Sequence, residues 1–205
     1  MKFKTEDLLA RAERDEEHSS IASAKKTFAD ETKAAKAFSI LKTKLSEIDE
    51  WNAHAMLSSF ELFDENGREL QTEKLAVGLF LRISLTGTLK YDWVRVVDVF
   101  EQADEFIISV KPTYDPTGEK TDKTTTSHFF SSESINNFCL FRKAKTVALY
   151  VIGLHEKMNA DETGGTLETV RNAAVNLGSY FGVQRGEWEK FCHHFIEDVE
   201  NLSAN

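Results

Sequence analysis

The chain has little of what marks a secreted, membrane-spanning or nucleotide-binding protein. Two cysteines in 205 residues, Cys139 and Cys192, cannot build the disulfide framework on which small secreted domains depend. No run approaches the roughly 20 consecutive apolar residues of a transmembrane helix. The segment from Met1 to Asp7 is charged from its second residue and lacks the apolar stretch of a secretory signal, so the expected location is the cytoplasm. There is no G-x-x-x-x-G-K-[ST] loop, no G-x-G-x-x-G fingerprint and no G-x-S-x-G nucleophile elbow, and no cofactor is implied. Cations are also in deficit, with 25 Lys and Arg against 34 Asp and Glu and a net charge of −9. A surface for duplex nucleic acid or an anionic membrane needs clustered Lys and Arg, so neither partner is expected.

What the chain has is apolar and aromatic mass. Fifteen Phe, four Tyr and three Trp in a sequence 41% hydrophobic are enough for one sizeable core and too many for a solvated, disordered chain. We expect a single domain over residues 1–205. It divides into a helical N-terminal segment (1–52), an antiparallel sheet (55–156) and C-terminal helices (166–202).

The N-terminal segment is read from spacing. Leu8, Leu9 and Ala12 form a short first face. From about Ser20, the residues Ile21, Ala24, Phe28, Ala35, Phe38, Leu41, Leu45 and Ile48 recur at steps of three, four or seven, as on one face of a helix. The average step near 3.5 is compatible with a homo-oligomer seam, although packing on the chain's own sheet suits so short a span better. Between Met56 and Leu154 the period changes to two. Val77, Leu79, Leu81, Ile83 and Leu85 share one face while Gly78, Arg82, Ser84 and Thr86 take the other, and short polar turns join two pairs of runs, Trp93–Phe100 to Phe106–Val110 and Ile135–Phe141 to Thr146–Leu154. Such connections force antiparallel neighbours. The expected fold is α+β, a meander sheet of five to seven strands with the helices packed on one face. The helix–meander–helix order is similar to that of helix-grip pockets, an analogy at the level of fold alone.

Three features are candidates for function. Phe129, Phe130, Trp93 and Tyr150 lie in or beside strands and are candidate ligand-binding residues on an aromatic-rich sheet. The leading expectation is therefore a non-enzymatic binding domain for a small apolar ligand or a protein partner. The rival is an enzyme of hydrolase type with His128, His155 and Glu156 around a pocket mouth, since strand ends and loops often carry catalytic groups. The third feature is Cys192-His193-His194 with Glu197 and Asp198 one turn on, which has metal-ligand chemistry. At 100° per residue, His193 and Glu197 fall opposite the stripe of Trp188, Phe191, Cys192, Phe195 and Val199, so they are expected in water and no metal is assigned. The loop from Lys111 to Ser127 is long for a connection inside a domain and has no assigned role. Thr163-Gly164-Gly165-Thr166 is read as a connector leading into a helix.

Overall fold

A computed structural model describes residues 3–71, 74–85, 91–118, 126–157, 159 and 185–200. Eight strands form one antiparallel sheet in the order β1-β8-β7-β6-β5-β4-β2-β3. They are β1 (Ser20–Thr27), β2 (Ser58–Phe63), β3 (Glu69–Leu70), β4 (Phe80–Leu85), β5 (Tyr91–Gln102), β6 (Glu105–Pro112), β7 (Ile135–Lys143) and β8 (Thr146–Leu154). The described helices are α1 (Thr5–Ala12), α2 (Glu31–Leu45), α3 (Ile48–His54) and α4 (residues 185–197). None of them is long and apolar enough to cross a membrane. The α+β meander stands as expected, with β4 to β8 following one another across the sheet.

Three expectations are corrected. Residues 20–27 are a strand, not the start of the long N-terminal helix. Ser-Ile-Ala-Ser-Ala-Lys-Lys-Thr is locally ambiguous, and the open edge of β8 decides its state by pairing with it from Ser20↔Gly153 to Thr27↔Thr146. In that strand Ile21 and its neighbour Ala22 face opposite sides of the sheet, whereas helical spacing had placed Ile21 with Ala24. The strand count is consequently eight rather than five to seven, with β1 and the two-residue β3 as the unforeseen members. Finally, the helices cover both faces. The segment from Thr163 and the helix read after Thr166 lie outside the described residues.

One face, which we call the inner face, carries α2, α3 and α4. Its core joins Leu41, Leu45 and Trp51 to Val96, Ile108, Phe138, Leu149 and Phe195. Asp30 caps α2 by accepting a 2.8 Å hydrogen bond from the Lys33 amide. Ala22 and Ala24 on β1 share this core with Ala34 and Ala37 on α2. On the outer face α1 buries Leu8 and Ala12 against Ile107, Cys139 and Ile152. Glu105 of β6 fastens its first turn, accepting from the Thr5 amide at 2.6 Å. Strands apolar on both sides, as β7 and β8 are, need both coverings.

A bulge in β5 matters for the site. Val96 pairs with Val110 but Asp98 pairs with Ser109, leaving Val97 as the extra residue. Val94 and Val96 therefore face inward before it, whereas Phe100 faces outward after it. At the β2–β3 turn Gly67 has φ 73°, and the Pro116 carbonyl oxygen lies 2.5 Å from where a Cβ would stand. Only glycine combines that backbone angle with that close approach.

Candidate functional site

Among the described residues, the inner face does not close against α2, α3 and α4 along its whole length. Near the end of the sheet where β5 begins and β6 ends, α3 and the start of α4 stand off from β4 to β7. The space between them is a cavity of about 60 Å³, open at its mouth. Trp51 of α3, Trp188 of α4, Phe60 of β2 and Phe138 of β7 form its walls. Trp51 tilts on Phe138 with centroids 4.2 Å apart, Phe138 meets Trp188 edge to face at 5.2 Å, and Phe60 stacks on Trp188 at 6.2 Å. Trp51 is itself held by its indole N–H, which donates to the Leu45 carbonyl at 2.9 Å.

Five polar residues line this space: Ser58, Asp92, His128, Asn136 and Glu187. Glu187 is engaged structurally. Its Oε1 accepts from the amides of Met56, Leu57 and Ser58 at 2.9, 2.7 and 3.2 Å, so a single carboxylate oxygen pins α4 to the α3–β2 link. Asp92 Oδ1 accepts from the Phe129 amide at 3.0 Å, and the Trp93 amide donates to the Ser127 carbonyl at 2.8 Å. Together these bonds seat His128, with 5% of its surface exposed, at the cavity wall. Its Nδ1 accepts from the Phe130 amide at 2.8 Å. An accepting Nδ1 is unprotonated, so the ring here is the neutral imidazole with its proton on Nε2.

A second hollow, of about 180 Å³, lies on the outer face between α1 and the sheet, with Arg11, Asp98 and His155 among its lining residues. Its buried amide is already satisfied. Asn137 accepts from Ser109 Oγ at 2.8 Å and donates to the Ile152 carbonyl at 3.1 Å. The inner cavity therefore has both the aromatic walls and the unengaged hydrogen-bonding capacity, and we take it as the candidate site.

The residues singled out from sequence are scattered by this geometry. His128 lines the inner cavity and His155 the outer hollow, so the sheet stands between them. Glu156 is buried over Gly153, where an added Cβ would come within 2.0 Å of its Oε1. Burial pushes its carboxyl above the usual range, against a smaller opposing pull from the Ser20 hydroxyl. Of the four aromatic candidates, Trp93 packs on the outer face with Phe63 and Phe80, and Tyr150 packs beside Cys139 and Ile152. Phe129 and Phe130 pack against each other with centroids 5.0 Å apart, and Phe130 stacks on His128 at 5.8 Å. None of the four lines the cavity. The alternation of strand side chains sends Trp93 and Tyr150 outward. The sequence reading passed over Trp51, Asn136 and Trp188 as site residues because no local pattern relates them. A signal was present in Asn136, a polar residue at an inward position of an otherwise apolar strand.

The α4 cluster resolves as its stripe implies. Phe191, Cys192 and Phe195 are fully buried, while His193, His194 and Glu197 are exposed. Asp198 turns the other way and joins Glu50 and His54. The ligand-type atoms of these three lie within 4.8 Å of one another, and His54 Nε2 is 3.7 Å from each carboxylate. Lys44 already supplies a cation there, bonded to both Glu50 and Asp198. Burial alone would lower its ammonium, but the two carboxylates outweigh that and hold it above its ordinary value. Burial pulls the His54 imidazole down, and Lys44 adds to that pull against Asp198. We read the cluster as a clamp joining α2, α3 and the residues after α4.

No protein-family model and no curated protein matches this sequence. Among solved structures, the fold resembles a hypothetical protein from Helicobacter pylori at 10% identity and TM-score 0.47, over 85% of this chain and 87% of that one. It also resembles the di-domain ARO/CYC StfQ of the steffimycin biosynthetic pathway (13% identity, TM-score 0.43, over 96% of this chain and 57% of that one). A third likeness is to major latex-like protein 151 from Panax ginseng, at 10% identity and TM-score 0.37, over 82% of this chain and 98% of that one.

Proposed function

We propose that the protein is a binding module that takes one small, mainly apolar molecule between α3, α4 and the inner face of the sheet. The observation that carries this reading is the aromatic-walled cavity, which the described residues leave open beside the packed core of the same face. Ligand sites are typically concave, mostly apolar, and furnished with a few placed polar groups. Binding is favoured over hydrolysis because His128 and His155 stand in different hollows and share no substrate position. A reducing, cytoplasmic setting belongs to the same reading, since Cys139 and Cys192 are both free and buried.

Titration with 1-aminoanthracene, a neutral fluorophore, tests it. We expect saturable binding at one site with quenching of tryptophan fluorescence, abolished when Ile83→Trp fills the cavity. If the filled variant binds the fluorophore as well as the parent, the molecule sits elsewhere and the reading fails.

A further inference from the structure

One group in the cavity has no work within the fold. Asn136 on β7 is 7% exposed and lines the cavity with its strand neighbour Phe138. Its amide neither donates nor accepts a hydrogen bond among the described residues, while its polar atoms stay open to the cavity space. Next to it in sequence, Asn137 faces the other way and makes two such bonds. The contrast is informative because an amide that meets no protein group is left to bond whatever enters the cavity. An alanine or valine at position 136 would continue the apolar wall.

The charges around Asn136 narrow what can satisfy it. Among the described residues, the cavity lining contains Asp92 and Glu187 and no Lys or Arg. His128 does not act as a cation in this arrangement, since its Nδ1 accepts the Phe130 amide. A carboxylate or phosphate head would therefore enter a desolvated, negatively biased space with no counter-charge. Each carboxylate has one oxygen engaged within the fold: Glu187 Oε1 accepts from three backbone amides, and Asp92 Oδ1 accepts from the Phe129 amide. Beside them Asn136 presents a primary amide with a donor and an acceptor side by side, facing the rings of Trp51, Phe138 and Trp188.

We infer that Asn136 is the recognition group for an uncharged ring compound bearing an adjacent donor–acceptor pair, such as a carboxamide or a lactam. The ring lies against Trp51 and Trp188, and the polar pair bonds to Asn136 in place of water. This rests on the binding reading above and adds the chemical class of the ligand.

The test uses the full chain and four probes that share one ring: benzamide, benzoate, benzylammonium and toluene. ¹H–¹⁵N NMR titration follows the Asn136 side-chain amide and the indole N–H groups of Trp51 and Trp188. We expect benzamide to bind roughly tenfold tighter than toluene, with the Asn136 amide shifting on titration. Asn136→Leu should erase that preference and leave toluene binding in place. Should the variant fail to fold, the Asn136 shift in the parent protein decides alone. Equal affinities for benzamide and toluene with an unmoved Asn136 amide would overturn the inference and leave the cavity reading standing. Tightest binding by benzoate or benzylammonium would overturn the charge argument and with it the inference. If no probe moves the Trp51 or Trp188 indole, both readings fall.

Discussion

Glu187 gives the sharpest test of how the cavity is held open. Its side chain crosses from α4 to the α3–β2 link, and Oε1 alone accepts the Met56, Leu57 and Ser58 amides. Hydrogen bonds to a charged acceptor contribute about 1.5–3 kcal/mol each, and bonds that share one oxygen are not additive. Water can also reach part of the link, because Met56 and Leu57 are 53% and 43% exposed. Glu187→Leu should then destabilise the fold by about 3 kcal/mol, well below the naive sum of three bonds. For a domain of this size that corresponds to a fall in Tm of roughly 6–12 °C. Glu187→Gln keeps a carbonyl acceptor without the charge and should lose only about 1 kcal/mol. Urea denaturation measures both losses. Hydrogen exchange on Met56, Leu57 and Ser58 should accelerate together in the leucine variant and much less in the glutamine variant. A loss under 1 kcal/mol for Glu187→Leu, or unchanged exchange at those three amides, would refute the argument that this carboxylate fastens α4.

Three more outcomes follow from the same structure. Phe195 is fully buried between Phe191 and His54, so Phe195→Ala should cost about 3–5 kcal/mol. His193→Ala on the exposed side of α4 should stay within about 0.5 kcal/mol, and chemical denaturation of both variants checks the helix's orientation. The carboxyl of Glu156 is raised above its ordinary value of 4.5 by burial. The unfolded state therefore loses its proton first as pH climbs past that value, and stability falls with rising pH until the folded pKa is passed. Glu156→Gln should be more stable than the parent at pH 8, with the difference vanishing below about pH 4 in a pH series of thermal melts; the opposite slope would contradict the burial. Burial pushes the Cys192 thiol up to about 12 and raises Cys139 as well, so a thiol-specific chromogenic reagent should label neither cysteine before unfolding.

Much of the scaffold was legible along the chain because its signals are local. The two-residue period of Leu79 to Leu85 and the short polar turns announced antiparallel strands. The spacing of Trp188, Phe191, Phe195 and Val199 announced the buried stripe of α4 and put His193 in water, where it stands. The state of Ser20–Thr27 was not legible. Two alanines, an isoleucine and two lysines fit either period, and the choice rests on β8, more than a hundred residues away.

The candidate site shows the same division more sharply. Sequence alone determined the fold class, the succession of strands from β4 to β8 and the direction in which many of their side chains point, since a strand or helix sets these within a few residues. It also supplied His128, through its place beside a long loop. Only the tertiary structure decided which side chains meet: Trp51 from α3, Asn136 from β7 and Trp188 from α4 around one cavity, with His155, Trp93 and Tyr150 turned to the other face. The physical reason is that a cavity is a failure of distant surfaces to close on one another. Its lining depends on the helix standoff fixed by Glu187 and on the strand parity reset by the bulge at Val97, and no stretch of sequence carries that information by itself.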